Sequence, residues 1–140
     1  MIENIHERVR QDHHSEIAED YVEAIRQQIA AQGTCRAVDL VNKFSVTHAT
    51  VNNTLARLER DGLVKTEPYR PVQLTARGKR LADASMKRHE IVESFLRRIG
   101  VSWQTALIDS EGMEHHVSPE TLAAMKRVLD HGLPESADSR

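Results

Sequence analysis

The chain of 140 residues is poor in cysteine and in aromatic residues, and it has no segment that could span a membrane. Cys35 is the single cysteine, so an intramolecular disulfide is excluded and the fold must depend on packing. Aromatic residues make up only 4%, which predicts a modest core that a partner subunit would help to stabilise. No apolar run approaches the roughly 18 residues of a membrane helix, and residues 1–20 contain no apolar signal-peptide core. We therefore expect a cytoplasmic protein without membrane association.

The net charge of −2 conceals an uneven distribution along the chain. Residues 36–80 contain nine basic and four acidic residues, which gives +5, whereas residues 1–35 carry −4 and residues 81–140 carry −3. A basic centre suits phosphate and acidic flanks suit cations, although an ordinary solvated surface could have the same charges. The charge distribution indicates a function only where sequence motifs support it.

Apolar spacing and turn residues predict helices over residues 16–31, 36–44, 48–61, 76–99, 102–115 and 119–131, and strands over 63–66 and 72–74. The second and third helices are separated by the short turn Ser45-Val46-Thr47, and a β hairpin follows them. This order indicates a mainly α protein with an N-terminal winged helix-turn-helix and a following all-α domain. We predict a flexible arm over 1–15, the winged helix-turn-helix over 16–75, the helical domain over 76–131 and a polar tail over 132–140.

The third predicted helix has the properties of a DNA-reading helix. Its apolar residues Val51, Leu55 and Leu58 should face the core, which leaves polar and small residues of its first turns facing outward. Asparagine can bond adenine edges and alanine can contact a thymine methyl group, while threonine and basic residues suit phosphates. A solvated helix or a protein-interaction module would be the alternatives. The predicted DNA-binding residues are Thr47, His48, Ala49, Thr50, Asn52, Asn53, Arg57, Lys65 and Arg70.

A second group of residues suggests a metal site. Glu111, Glu114 and His115 have the spacing i, i+3 and i+4, so they would share one helix face, where crowded carboxylates need a positive partner. Carboxylates with imidazole suit manganese or iron(II), and several carboxylates would allow two ions per chain. Each residue taken alone could be ordinary surface, as we expect for the pair His13 and His14. The predicted metal ligands are Asp20, Glu23, His89, Glu111, Glu114 and His115.

Three sequence strings resemble the diphtheria-toxin-repressor family in its manganese-transport-regulator branch. They are Glu-Asp-Tyr-Val-Glu at 19–23, Arg-His-Glu-Ile-Val-Glu-Ser-Phe-Leu at 88–96 and Glu-Gly-Met-Glu-His-His-Val-Ser at 111–118. The resemblance implies that the six predicted ligands bind metal and that the helical domain also serves dimerisation. Iron-sensing relatives have methionine in place of Asp20 and cysteine in place of Glu111, so the resemblance favours Mn(II), with Fe(II) as the alternative.

These features predict a homodimeric, manganese-responsive repressor of metal-transport genes. Metal held by both domains would set the spacing of the two reading helices, which must be about 34 Å apart to enter successive major grooves of double-stranded operator DNA. A metal-independent winged-helix regulator and an iron(II)-responsive repressor are the alternatives. A dimetal enzyme is disfavoured, because bundle enzymes use paired Glu-x-x-His motifs that the metal-site helix lacks. We therefore expect no enzymatic activity.

Overall fold

The computed structural model describes residues 2–135, apart from the side chains of residues 2–4 and 8. Met1 and residues 136–140, the end of the predicted tail, lie outside the described residues. Within this range the elements are α1 (Ile2–Gln32), α2 (Ala37–Phe44), α3 (His48–Arg60), β1 (Val64–Lys65), β2 (Gln73–Leu74), α4 (Ala76–Arg98), α5 (Trp103–Met113) and α6 (Pro119–His131). The mainly helical class with one small hairpin is confirmed. None of the helices in the described range could cross a membrane.

The chain divides into two compact units, Met1–Ala84 and Ser85–Arg140, and the boundary falls inside α4. The first unit contains α1, α2, α3, the hairpin and the start of α4. The second contains the end of α4 with α5 and α6. The domain limits predicted from motifs, with a boundary at residue 75, stay predictions.

The first helix begins earlier than the sequence analysis predicts. A start at Glu16 after a flexible arm was expected, but α1 begins at Ile2. Residues 2–15 contain neither proline nor glycine, the residues that disfavour a helix most strongly. Ile5 and Val9 are exposed, so burial does not explain this segment. The low apolar content of residues 2–15 therefore does not exclude a helix.

Local hydrogen bonds define the helix-turn-helix of the first unit. The α2 helix ends at Ser45, which has a left-handed φ of 53° and turns the chain away from the helix axis. Thr47 then caps α3, because its Oγ1 accepts a hydrogen bond of 3.1 Å from the Thr50 backbone N–H. The predicted inward residues Val51 and Leu58 are fully buried. The exposed face of α3 therefore keeps the orientation that the apolar spacing predicts.

The hairpin, hereafter the wing, comprises residues 64–74 and is tied closely to the start of α4. Its strands pair antiparallel, with Val64 opposite Leu74 and Lys65 opposite Gln73. The Thr75 hydroxyl donates to the Gly62 carbonyl oxygen at 2.7 Å and accepts from the Gly78 N–H at 3.0 Å, which caps α4. A β-carbon on Gly78 would overlap the Leu63 carbonyl oxygen, so only glycine permits this approach of helix and strand.

The core of the first unit is formed by side chains from all of its helices and from the wing. Tyr21 of α1 stacks on Phe44 of α2, with ring centroids 4.6 Å apart. The buried members of this core are Tyr21, Val22, Ala24, Ile25, Cys35, Leu40, Val51, Leu55, Leu58, Leu63, Val64, Val72 and Ala82.

The second unit has a much smaller core, which Val92, Leu96, Ala106 and Met125 form. Serine side chains cap α5 and α6, and a proline occupies the first turn of α6. The α5 helix runs towards His115 as predicted and ends at Met113, with Glu114 as its C-cap, and the next residues form a turn. The poor helix former Gly112 weakens the last turn of α5.

Candidate functional site

The predicted DNA-reading residues form an exposed surface at the start of α3. Thr47 and the first residues of α3 are exposed, as are Asn52 and Asn53 one turn further on. Polar side chains on the first turns of a helix, on a basic segment of the chain, can reach both base edges and phosphates. Lys65 on β1 and Arg70 in the wing are exposed as well.

Arg57 differs from the other eight predicted DNA-binding residues. It is the only one that is half-buried, and its Nη2 atom is enclosed without a hydrogen-bond partner among the described residues. Arg70 is exposed, but its Nε lies 3.4 Å from a carboxylate oxygen of Glu67. Among the predicted phosphate ligands with basic side chains, Lys65 is therefore the most directly available.

Three of the predicted metal ligands form a cluster in the second unit. The Nδ1 atom of His89 lies 3.1 Å from Oε2 of Glu114. Nε2 of His115 lies 3.5 Å from the other carboxylate oxygen of Glu114. The side chains of Glu114 and His115 are both 2% exposed, and that of His89 is 17% exposed. A carboxylate buried between two imidazoles is a costly arrangement unless positive charge offsets it.

The contact between His89 and Glu114 has the character of a cation site. His89 Nδ1 is buried and makes no hydrogen bond to any of the described residues, although a carboxylate oxygen lies only 3.1 Å away. At that distance a protonated nitrogen in line with the oxygen would form a hydrogen bond. The His89 nitrogen and the Glu114 oxygen lie close together without forming such a hydrogen bond. They are therefore suited to bind one divalent ion together. The nitrogen and oxygen donors fit manganese or iron(II), and none of the three side chains is a thiolate.

The other predicted metal ligands lie differently. Glu111 is exposed on α5, and Glu114 is the C-cap residue of that helix, where its backbone stays helical and its N–H donates to the Ser110 carbonyl oxygen. Asp20 and Glu23 are half-buried in the first unit, one turn apart on α1. Each of these three carboxylates belongs to an acidic flank of the sequence.

Sequence reasoning missed Glu93. Its Oε2 atom lies 3.6 Å from Nε2 of His89, and its side chain is 26% exposed. The two residues are four apart on α4, so their contact follows from helix geometry. The spacing was visible in the sequence, but a histidine followed by such a glutamate is also typical of an exposed helix surface.

Models of two domains from one protein family match the chain. Residues 13–72 match the N-terminal DNA-binding domain of iron-dependent repressors. Residues 75–133 match the metal-binding and dimerisation domain of iron-dependent repressors. The first match contains the exposed start of α3, and the second contains the His89–Glu114–His115 cluster.

Curated relatives and solved structures agree with these matches. The transcriptional regulator MntR of Escherichia coli O157:H7 is 48% identical over 84% of this chain and 76% of its own length. MntR of Lysinibacillus sphaericus is 39% identical over 71% of this chain and 72% of its own length. A manganese-dependent transcriptional repressor, solved with manganese, has a TM-score of 0.73 and 29% identity over 86% of this chain. This chain spans only 59% of that solved chain. The chain belongs to the iron-dependent repressor family.

Proposed function

We propose that the chain is a manganese-responsive transcriptional repressor that binds operator DNA as a homodimer. The observation that carries the proposal is the buried cluster of His89, Glu114 and His115 in a chain whose other unit exposes a DNA-reading helix. A buried cluster of this kind and an exposed DNA-reading helix can each occur in a protein without the other. Together they support a protein whose DNA binding depends on a metal ion, and the MntR relatives are transcriptional regulators by name.

In this proposal His89, Glu114 and His115 hold a divalent ion, with Glu93 as a further candidate ligand. Glu111, Asp20 and Glu23 complete the set from the sequence prediction, which provides for two ions per chain. The ion, when bound, offsets the carboxylate charge and thereby favours an ordered binding-competent state. The protein needs no catalytic chemistry for this role, because the ion acts through binding free energy alone.

The exposed start of α3 carries out the recognition of DNA. Asn52 and Asn53 provide side chains that can bond base edges, while Thr47 and Lys65 suit the phosphates. The homodimer presents two such helices to the two halves of an operator. In this proposal the protein binds the operators of metal-transport genes, and it does so in the cytoplasm.

Fluorescence anisotropy with operator DNA tests the proposal. The labelled duplex is the region upstream of the chain's own gene or of a neighbouring metal-transporter gene, at fixed salt, first with chelator and then with rising manganese. We expect affinity to rise by about 5- to 150-fold with manganese, the usual range of allosteric coupling. Equal affinity with and without metal would favour a metal-independent regulator. A stronger response to iron(II), added without oxygen, would favour the iron-responsive alternative.

A matched pair of variants tests the metal cluster. Glu114→Gln keeps the shape of the side chain and removes its charge, whereas Glu90→Gln makes the same change at an exposed position of α4 beside His89. We expect Glu114→Gln to raise the manganese concentration needed for half-maximal DNA binding at least about tenfold. Glu90→Gln should behave like the parent. A parental response of Glu114→Gln, with unfolding in chelator unchanged, would show that the cluster is not the metal site.

A further inference from the structure

A groove of about 370 Å³ in the first unit separates the wing from the helix-turn-helix. We call it the wing groove. Asn52 of the reading helix lies on one side and the wing residues on the other, so the groove continues the surface that begins at the start of α3. Its lining includes Arg36, Val38, Asn52, Pro68, Tyr69 and Arg70.

Tyr69, at the tip of the wing, is unusual in both its exposure and its backbone conformation. The residue is 100% exposed, more than any other large hydrophobic residue in the part of the chain that the structure describes. Its φ of 63° lies in the left-handed region, which is disfavoured for a residue with a β-carbon. A glycine would adopt this turn more readily and would expose no aromatic surface. A strained backbone that projects an aromatic ring into solvent points to a contact that the isolated chain does not contain.

Arg36, the residue at the start of α2, also lines the wing groove. Its backbone N–H donates to the Asp39 carboxylate at 2.8 Å, which fixes the start of α2. The Cys35 carbonyl oxygen accepts a hydrogen bond of 2.7 Å from the Val72 N–H of the wing. The residue before Arg36 and the returning side of the wing are thus joined, and Arg36, which is exposed, lines the same groove as Tyr69.

The outgoing side of the wing is anchored to α3. Glu59 accepts hydrogen bonds from the Thr66 N–H at 3.0 Å and from the Thr66 hydroxyl at 2.9 Å. These bonds hold the pKa of Glu59 below its usual range, so the carboxylate is ionised at neutral pH. With both sides anchored, the wing groove is a preformed feature of the unit.

We propose that Tyr69 and Arg36 clamp the sugar–phosphate backbone of operator DNA beside the bases that α3 reads. This inference rests on the proposed function. The guanidinium of Arg36 supplies positive charge for a phosphate, and Tyr69 supplies a hydroxyl donor together with a flat ring that can cover a deoxyribose. Asn52 belongs both to the wing groove and to the reading surface, so one stretch of DNA can occupy both. Such a contact adds affinity and fixes orientation without selecting bases.

Anisotropy with manganese-loaded protein, the same labelled operator and an unrelated duplex of equal length tests the clamp. Tyr69→Asn keeps the left-handed turn, which asparagine tolerates, and removes the ring. Arg36→Ala removes one charge. Its matched control is Arg60→Ala, an exposed arginine at the far end of α3, about 18 Å along the axis from His48.

Each clamp variant should weaken binding to both duplexes by about tenfold, the value of one hydrogen bond to a charged group. Arg36→Ala should also reduce the slope of log affinity against log salt by about 1, whereas Tyr69→Asn should leave the slope unchanged because it removes no charge. Arg36→Lys should restore the slope. Arg60→Ala should match the parent in affinity and slope.

The outcomes separate the clamp from the proposed function. Parental affinity of Tyr69→Asn and Arg36→Ala, in a protein whose own operator binding responds to manganese, would overturn the clamp alone. Failure of the parent to bind the operator would overturn both the clamp and the proposed function. Equal losses in Arg36→Ala and Arg60→Ala would also overturn the clamp, because the effect would then come from net charge. Thermal unfolding of each variant identifies any loss that is due to misfolding.

Discussion

At the scale of single residues, the two units differ in how they treat buried polar groups. Cys35 in the first unit is completely buried and belongs to the apolar core. Glu114 in the second unit is buried, and each of its carboxylate oxygens lies near a histidine. A buried thiol is compatible with a purely structural role, whereas a buried carboxylate next to imidazoles points to a bound ion.

The Cys35 thiol should be chemically inert in the folded protein. Burial, assisted by the negative charge of Asp39, raises its pKa from 9.0 to about 11. At pH 8 the thiolate fraction is then lower by about a hundredfold than in the unfolded chain, and access is blocked as well. We expect a disulfide reagent to modify Cys35 at pH 8 only in denaturant. Rapid modification of the native protein, at a rate that does not follow unfolding, would contradict this.

The same shift predicts how stability depends on alkaline pH. Because the folded-state pKa is raised above the unfolded value, the folded state retains the proton between pH 9 and about 11. The contribution of Cys35 is therefore complete below pH 9 and is lost as the pH rises towards 11. Cys35→Ala should flatten this part of the dependence of unfolding free energy on pH, which denaturant titrations at several pH values would measure.

At the scale of elements, single residues predict the ends of a helix well only where a side chain caps the helix. The α2–α3 turn was correctly predicted, because Thr47 has a hydroxyl that accepts from the start of α3. The start of α1 was not, because Asp12 and Ser15, which are residue types that often begin a helix, lie inside it. The spacing of Glu111, Glu114 and His115 predicts a helix that runs towards His115, and α5 ends two residues before it, with Glu114 as the C-cap.

Much of the candidate site could likewise be predicted only in outline. The sequence placed His89, Glu114 and His115 in one functional group, and the structure brings their side chains together. It could not place Glu93 there, because contacts between residues of one helix turn occur equally on surfaces without function. Glu111 lies within α5 and is exposed, and which face of a helix is buried is a tertiary property. The six-residue ligand set itself stays a prediction.

Two glycines in helices provide a test of how α4 packs on the wing. An alanine at position 78 would overlap the Leu63 carbonyl oxygen and crowd Leu74, so the helix would have to move away from the strand. We expect Gly78→Ala to lower the free energy of unfolding by about 1–3 kcal/mol, as overpacking does. Gly112→Ala is the matched control, because a β-carbon there meets nothing within 4 Å.

The two substitutions should have opposite signs. Gly112→Ala should raise stability by about 0.5–1 kcal/mol, since alanine restricts the unfolded chain and favours the helix. Denaturant unfolding in chelator, which excludes any effect of metal binding, would measure both. A Gly78→Ala variant as stable as the parent would show that α4 can move away from Leu63 at little cost.

At the scale of the whole molecule, the distribution of apolar surface supports assembly. In the second unit, α5 exposes Trp103 by 57%, Leu107 by 39% and Ile108 by 71%, while the core of that unit is small. Exposed apolar residues concentrated on one helix are typical of an interface. This surface lies within the residues that match the metal-binding and dimerisation domain of the family.

A charge on α5 should therefore weaken the proposed homodimer. We expect Ile108→Glu to raise the dimer dissociation constant at least about tenfold, because a carboxylate would be desolvated in an apolar interface. Gln27→Glu adds the same charge at an exposed position of α1, outside the apolar surface of α5, and serves as the control. Sedimentation velocity over a range of concentrations would measure both. If Ile108→Glu sedimented like the parent at every concentration, the interface would have to lie elsewhere.

The strictest test of the whole molecule is the reciprocity of its two ligands. If manganese tightens operator binding by some factor, operator DNA must tighten manganese binding by the same factor, because both describe one thermodynamic cycle. The factor should be about 5- to 150-fold. The signal of free manganese in electron paramagnetic resonance gives the manganese affinity with no DNA, with operator duplex and with an unrelated duplex. We expect the operator to tighten manganese binding more than the unrelated duplex does. A gain in operator affinity with manganese but no matching gain in manganese affinity would mean that the metal acts outside this cycle, for example by bridging protein to phosphate.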